Sequence, residues 1–248
     1  MKLLKLVLSK RRFPPMINQF LWVIFPYLCI VIFIVGHIFR YRYDQFGWTA
    51  KSSEFIEKKQ LMIGSFLFHI GIIPVFLGHV SGLGIPKTWT RAIGISDHLY
   101  HLGAVWGGGF FGLVTFAGMF ILTSRRFTKK TVRQLSSTSD LIVNTLLLFI
   151  VFIGVYASLV TNNLVPGFDY RDSLSVWFRS LFTLQPNAQL MVGVPVAFKL
   201  HVLAGFLIFA IWPFTRLVHV WSVPLNYVGR SYILYRRHEQ PSQKRKTS

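Results

Sequence analysis

Acidic side chains are scarce in this 248-residue chain, which has 8 Asp and Glu residues against 27 Lys and Arg. Charged residues of both signs make up 14% of the chain, whereas a soluble domain averages about 25%. Hydrophobic residues make up 52%. So few polar side chains cannot cover a surface that faces water. The composition therefore excludes an ordinary soluble domain and favours a membrane protein.

Cysteine is also nearly absent, since Cys29 is the single thiol of the chain. One cysteine cannot form an internal disulfide, an iron–sulfur site or the CxxCH attachment of a covalent haem. Any haem must therefore be held noncovalently, by side chains other than thiolates.

The excess of basic residues has two readings. It often indicates nucleic-acid binding, but here the basic residues form short clusters beside long apolar runs. That arrangement is typical of membrane proteins, so we expect a lipid bilayer around the chain and no nucleic-acid partner.

Five runs are long enough to cross a bilayer: roughly 17–39, 61–81, 102–123, 141–162 and 195–221. The sequence predicts an all-α integral membrane protein with five transmembrane helices within residues 16–225.

The distribution of basic residues predicts the orientation of these helices. With a cytoplasmic C-terminus, 17 basic residues lie inside and 10 outside, as the positive-inside rule requires. The N-terminus is then outside, and residues 226–248 form a basic cytoplasmic tail. The discordant part is the leader 1–15, with five basic residues on the outer side. If translation begins at Met16, only 5 basic residues remain outside, so we interpret residues 1–15 as an extension or a start-site artefact.

Histidines carry the chemical argument. Ionisable side chains inside a membrane are expensive and usually functional. The second run contains His69 and His79, and the fifth contains His201 and His219. A lone histidine is more often a packing residue, but two on each of two antiparallel helices suit bis-histidine coordination of two haem irons. Because the two runs cross in opposite directions, we pair His79 with His201 near the outer face and His69 with His219 near the cytoplasm.

The spacing along the two runs supports this pairing only in part. The ten residues from His69 to His79 rise about 15 Å along a helix, and the eighteen from His201 to His219 rise about 27 Å. Helix tilt and kinks at Pro74 and Pro213 can reduce this mismatch. Eighteen residues are five turns, which puts His201 and His219 on one helix face. Gly64, Gly71 and Gly78 leave room either for a macrocycle or for close helix packing. Arg216, one turn before His219, is a candidate partner of a haem propionate.

At these residues the chain resembles the gamma (cytochrome b) subunit of membrane-bound respiratory nitrate reductase. The resemblance covers about Met16 to Arg237. The matching segments are RYRYDQFGWTAKSSE at 40–54, LFHIG and GH within 67–79, FKLH at 198–201 and RLVHVWSVP at 216–224.

The resemblance implies two b haems, a distal one on His79 and His201 and a proximal one on His69 and His219. It also implies oxidation of a membrane quinol (menaquinol or ubiquinol) near the distal haem. Electrons would then pass to an iron–sulfur beta subunit and a molybdenum alpha subunit that reduces nitrate.

The chain departs from the family pattern at GISDHLYH, 94–101, where some members have a lysine near the quinol. Asp97, His98 and His101 are therefore candidate proton acceptors during quinol oxidation, because a neutral imidazole suits that task. The stretch Ser175–Leu184 between the fourth and fifth runs is amphipathic. It is either a connector on the membrane surface or a lid over a lipid-soluble substrate.

Two further hypotheses remain open. The chain could be the b-type cytochrome subunit of another quinone-linked redox complex, or a haem-free transporter with a histidine proton relay. In the cytochrome readings, the tail segment Tyr227–Arg237 and the loop between the first two runs would dock the electron-accepting partner through their positive charge.

Overall fold

The computed structural model describes residues 15–44, 57–165 and 167–222, and the regular structure in these ranges is entirely helical. Five helices are long and apolar enough to cross a membrane. In chain order they are span 1 (Met16–Tyr43), span 2 (Lys59–Gly84), span 3 (Asp97–Thr128), span 4 (Thr138–Leu164) and span 5 (Val196–Phe214). The predicted all-α fold with five spans is confirmed. The side of the membrane on which each terminus lies stays a prediction.

Several spans change helix type along their length. Span 1 passes from α-helix through a π-helical segment, Phe20–Ile24, into the α-helix Phe25–Tyr43. Span 2 is α-helical over Lys59–His79 and π-helical over Val80–Gly84. Shorter helices connect the spans: α-helices Lys87–Ala92, Lys130–Gln134 and Leu174–Phe182, and the 3₁₀-helix Ala188–Met191. The 3₁₀-helix Trp212–Phe214 ends span 5, and a further 3₁₀-helix, Arg216–Ser222, follows it.

Spans 3 and 4 begin before the apolar runs because polar residues cap their first turns. The Ser96 hydroxyl accepts a hydrogen bond from the Leu99 amide at 3.2 Å. At span 4, Ser137 and Asp140 form a reciprocal capping box. Such caps satisfy the amide groups that the first turn of a helix leaves without partners. Hydropathy alone does not detect these turns, so the predicted bounds were too short.

The spans pack in a fixed order. Span 2 packs on span 3, span 3 on span 4, span 4 on span 5, and span 5 on span 1. Span 2 and span 5, which carry the histidine pairs, are not among the closely packed pairs of the described chain. Tight contacts at glycines explain the packing of span 2 on span 3: a Cβ at Gly71 would clash with the Thr115 hydroxyl, and one at Gly118 with the Phe68 amide nitrogen.

Contacts between span termini define two ends of the bundle. At the tail end, Arg125 pairs with Glu57 and Arg216 with Asp140. This is the end that the orientation argument places in the cytoplasm. The other end is the loop end, where residues 165–195 connect span 4 to span 5.

The Leu174–Phe182 helix is docked into the loop end. Trp177 is fully buried, and its indole N–H donates to the Trp22 carbonyl at 2.8 Å. The two indole rings meet edge to face, with centroids 5.7 Å apart. The Tyr27 hydroxyl donates to the Leu181 carbonyl at 2.9 Å. One face of this helix is therefore packed against span 1, and both interpretations of the stretch, a surface connector or a lid, stay predictions.

The fifth apolar run, 195–221, is not one continuous helix. The α-helix ends at Ile211, and after a short 3₁₀ turn Thr215 adopts an extended conformation, with φ −127° and ψ 176°. A second 3₁₀-helix, Arg216–Ser222, carries His219. The expectation that His201 and His219 share one helix face is therefore wrong, because the rise and turn of a single α-helix do not apply across Thr215.

Candidate functional site

His79 and His201 face each other across the space between spans 2 and 5. Their ring centroids are 5.8 Å apart and the ring planes are inclined by 31°. Two imidazole nitrogens that bind one metal at about 2.0–2.1 Å lie about 4 Å apart, which puts the ring centroids roughly 6 Å apart. The observed separation of 5.8 Å is close to that value.

All four predicted ligands hold their imidazoles in the same way. In each ring Nδ1 lies within hydrogen-bond distance of a main-chain carbonyl: Val75 for His79, Ile150 for His201, Ser65 for His69 and Arg216 for His219, at 2.6–3.0 Å. A carbonyl oxygen can only accept, so Nδ1 carries the proton. The lone pair is then on Nε2, which is the arrangement found in metal-binding histidines.

Span 4 supplies the wall behind His201. The His201 ring lies so close to Gly154 that a Cβ built there would be 2.7 Å from its Cε1 atom. The Ile150 carbonyl, one turn earlier on span 4, accepts from His201 Nδ1 at 3.0 Å. The ring orientation is thus fixed by both a hydrogen bond and a steric contact.

Other glycines leave space near the histidines. A Cβ built at Gly78 or at Gly205 would have no atom within 4 Å. Gly78 directly precedes His79, and Gly205 lies one turn after His201. Of the three glycines that follow each other at seven-residue spacing in span 2, Gly64 and Gly71 pack against span 3 and Gly78 does not. The packing interpretation therefore applies to Gly64 and Gly71. The facing imidazoles and the open space beside Gly78 suit a planar macrocycle, whose presence stays a prediction.

The second predicted pair is arranged differently. His69 and His219 are exposed, as His79 also is, but no ring contact between them is found among the described residues. Beside His69, the Ser65 hydroxyl lies 3.3 Å from Nδ1. Each of the four imidazoles is thus oriented by its own carbonyl partner. Of the two predicted pairs, His79 and His201 are the pair whose rings face each other.

Arg216, the predicted propionate partner, already has an anionic neighbour. Its Nη2 atom lies 2.7 Å from Oδ2 of Asp140, whose side chain is 4% exposed. Arg126, on span 3, lies 3.9 Å from the same oxygen. Sequence reasoning missed Asp140, although the spacing of Ser137 and Asp140 is that of a capping box.

A fifth histidine inside a span also escaped the sequence reasoning. His37 lies on span 1, with Nδ1 2.7 Å from the Phe33 carbonyl. Its ring centroid is 6.2 Å from that of Trp221, two residues beyond His219. A count of histidines in the first apolar run would have found it.

At the loop end, the three candidate proton acceptors lie in the first turns of span 3 and not in a loop. Asp97 forms an ion pair with Arg91. His98 is exposed, whereas the His101 Nε2 atom lies 3.0 Å from the Asn162 amide nitrogen. Because that nitrogen can only donate, His101 Nε2 already accepts a hydrogen bond. His98 is the histidine whose ring is exposed.

The same end contains a group of charged and phenolic side chains close to the turn that follows His79. The Tyr100 hydroxyl donates to Ser81 at 3.3 Å, and the Arg171 guanidinium stacks on the Tyr100 ring at 3.8 Å. Burial and the neighbouring Tyr100 raise the pKa of Tyr170 far above its ordinary value, which keeps this phenol protonated. Burial lowers the pKa of Lys87, but the carboxylates of Asp169 and Asp172 outweigh that effect and leave it above its ordinary value.

Within the described part of the chain, no three His, Cys, Asp or Glu side chains gather as a site for a bare metal ion. Two facing histidines are nevertheless what a bis-histidine haem needs. The predictions for leader residues 1–14, for the basic tail 226–248 with its segment Tyr227–Arg237, and for residues 45–56 of the loop between spans 1 and 2 lie outside the described residues.

Comparison with known proteins identifies the family. The sequence profile of the nitrate reductase gamma subunit matches residues 18–238. The nitrate reductase gamma chain of Bacillus subtilis (strain 168) is 49% identical over 222 residues, 90% of this chain and 99% of that protein. The respiratory nitrate reductase 2 gamma chain of Escherichia coli (strain K12) is 36% identical over 221 residues, 89% of this chain and 97% of that one. The nitrate reductase-like protein NarX of Mycobacterium tuberculosis (strain ATCC 25618 / H37Rv) is 42% identical over 226 residues, 91% of this chain but 35% of that protein. The chain belongs to the nitrate reductase gamma subunit family.

Proposed function

We propose that this membrane subunit of nitrate reductase oxidises a membrane quinol near the loop end and delivers the electrons toward the tail end through two b haems. His79 and His201 would hold the distal haem, and His69 and His219 the proximal one. The electrons would continue to an iron–sulfur beta subunit and a molybdenum alpha subunit, where nitrate is reduced. The observation that carries the proposal is the 5.8 Å separation of the His79 and His201 rings.

The residues of this chain have separate tasks in that proposal. Haem supplies one-electron chemistry when it is bound. The four imidazoles supply Nε2 lone pairs, and the carbonyls behind them fix the tautomer. Oxidation of a quinol releases two electrons and two protons, so a base is needed beside it. His98, whose ring is exposed, is the first candidate for that base, with His101 and Asp97 beside it.

Family membership favours this reading over a b-type cytochrome of another redox complex, since the relatives are named as gamma chains of nitrate reductase. The haem-free transporter hypothesis is separated from it by one measurement on native membranes. A reduced-minus-oxidised spectrum without b-type bands would remove both cytochrome readings.

Selective loss of each haem tests the proposed ligands. His79→Ala and His201→Ala should each remove the distal haem alone, and His69→Ala and His219→Ala the proximal haem alone, because each iron needs both of its imidazoles. Haem content and potentiometric titration of membranes measure this. His37→Ala is the matched control, since His37 also lies in a span with Nδ1 on a carbonyl but belongs to neither pair. If His69→Ala and His201→Ala emptied the same site, the pairing would be wrong.

A further inference from the structure

The turn that carries His219 is not held by the helix of span 5. The chain is extended at Thr215, so the 3₁₀-helix Arg216–Ser222 needs tethers of its own. One of them is apolar, because Val218 is fully buried. A second is ionic and joins its first residue, Arg216, to Asp140 at the start of span 4. Trp221 of the same turn also packs on aromatic rings of spans 1 and 5.

Asp140 is placed where it acts on two partners at once. Its Oδ2 atom accepts from the Ser137 amide at 2.9 Å, which completes the helix cap, and also lies 2.7 Å from Arg216 Nη2. The side chain is nearly buried. A capping residue does not need to be buried, because many helix caps are exposed. The cap also does not need an ion pair with an arginine, since Ser137 contributes to it as well. An ionisable side chain buried at this level indicates a function beyond capping.

The path from Asp140 to the imidazole is short. Arg216 pairs with Asp140 through its side chain, while its main-chain carbonyl lies 2.6 Å from His219 Nδ1. The residue that Asp140 holds is therefore the residue that orients the imidazole. Groups that orient a metal-binding histidine commonly change metal affinity by about 10–100-fold when they are removed.

We propose that Asp140 is a positioning residue for the proximal haem: its carboxylate holds Arg216, and through Arg216 the turn and imidazole of His219. This inference rests on the proposed function. The carboxylate also balances the positive charges of two arginines, since its Oδ2 atom lies 2.7 Å from Arg216 and 3.9 Å from Arg126. Removing the negative charge stabilises the reduced, less positive state of a nearby haem.

The test compares Asp140→Asn with Ser137→Ala in membranes that contain the full complex. Asp140→Asn should lower proximal haem content roughly ten-fold, the low end of the second-sphere range, and shift the midpoint potential of any retained proximal haem upward. The distal haem should titrate unchanged. Ser137→Ala removes the hydroxyl of the same cap but keeps the carboxylate on Arg216, so both haems should be unchanged.

Asp140→Glu keeps the proposal testable if Asp140→Asn fails to accumulate. The longer carboxylate retains the charge, so proximal haem content should recover while its potential differs from that of the unaltered chain. Equal losses in Ser137→Ala and Asp140→Asn, or an unchanged proximal haem in Asp140→Asn, would overturn the inference. Membranes of the unaltered chain that lack b haem would instead refute the proposed function, so the two failures are distinguishable.

Discussion

The two ends of the bundle hold their histidines by different means. At the loop end, His79 and His201 lie on regular helices, and their rings are brought to 5.8 Å by the packing of spans 2 to 5. At the tail end, His219 lies on a 3₁₀ turn beyond span 5, tied back by the ion pair of Arg216 and Asp140. Changes in packing should therefore affect the histidines of the loop end, and changes in charge those of the tail end.

The loop end is also clamped from outside. Three side chains of the connection between spans 4 and 5 donate to carbonyls in the turn that follows His79: Ser175 to Gly82 at 2.8 Å, Arg179 to Leu83 at 3.0 Å and Arg171 to Ile85 at 3.2 Å. These are carbonyls that the end of a helix leaves without partners. The clamp and the packed helices together explain why this pair is already brought together.

The largest effect at the loop end is expected from Gly154→Ala. A Cβ there would lie 2.7 Å from Cε1 and 3.0 Å from Nδ1 of His201, so the ring must move and its bond to Ile150 must weaken. Overpacking of this kind costs about 1–3 kcal/mol. We expect loss of the distal haem with the proximal haem retained, measured by potentiometric titration of membranes.

The matched control for this glycine is Gly84→Ala, at the same end of the molecule, where an added Cβ would have no atom within 4 Å. Both haems should persist in that variant. If Gly154→Ala kept a normal distal haem, or lost the proximal one instead, packing on span 4 would not be what orients His201.

The features that could be predicted from the sequence are those that depend on one continuous segment of the chain. Hydropathy located five spans, and histidines at fixed positions on two of them suggested the pairs. The roles of Gly154 and Asp140 could not be predicted, because each depends on a partner more than 40 residues away in the chain. The break at Thr215 was hidden for another reason. Trp212, Pro213 and Phe214 continue the apolar composition while the backbone stops being α-helical.

The second prediction concerns proton transfer at the loop end. Replacing His98 and His101 together by Gln should slow quinol-driven haem reduction by about 10²-fold, the low end for loss of a general base. Haem content and reduction by dithionite should not change, because neither residue is a proposed ligand. Stopped-flow reduction by a quinol analogue measures the effect.

The single variants sharpen that prediction. His101 already accepts from Asn162, so His98→Gln should account for most of the slowing and His101→Gln for little of it. Unaltered quinol kinetics in the double variant would move the quinol site away from span 3, toward the connection between spans 4 and 5.

The smallest expected effect is at the clamp. Ser175→Ala removes the donor to the Gly82 carbonyl, and a buried acceptor without its partner costs about 1–3 kcal/mol. Because Gly82 lies three residues after His79, the distal haem should be released at a lower temperature than in the unaltered protein, while release of the proximal haem is unchanged. Ser180→Ala on the same helix is the control, since its hydroxyl donates only to the nearby Trp177 carbonyl. Thermal release of each haem, followed by its absorbance in membranes, measures the difference. Equal shifts for the two haems, or equal shifts in the two variants, would show that the clamp acts on overall stability and not on the His79 end.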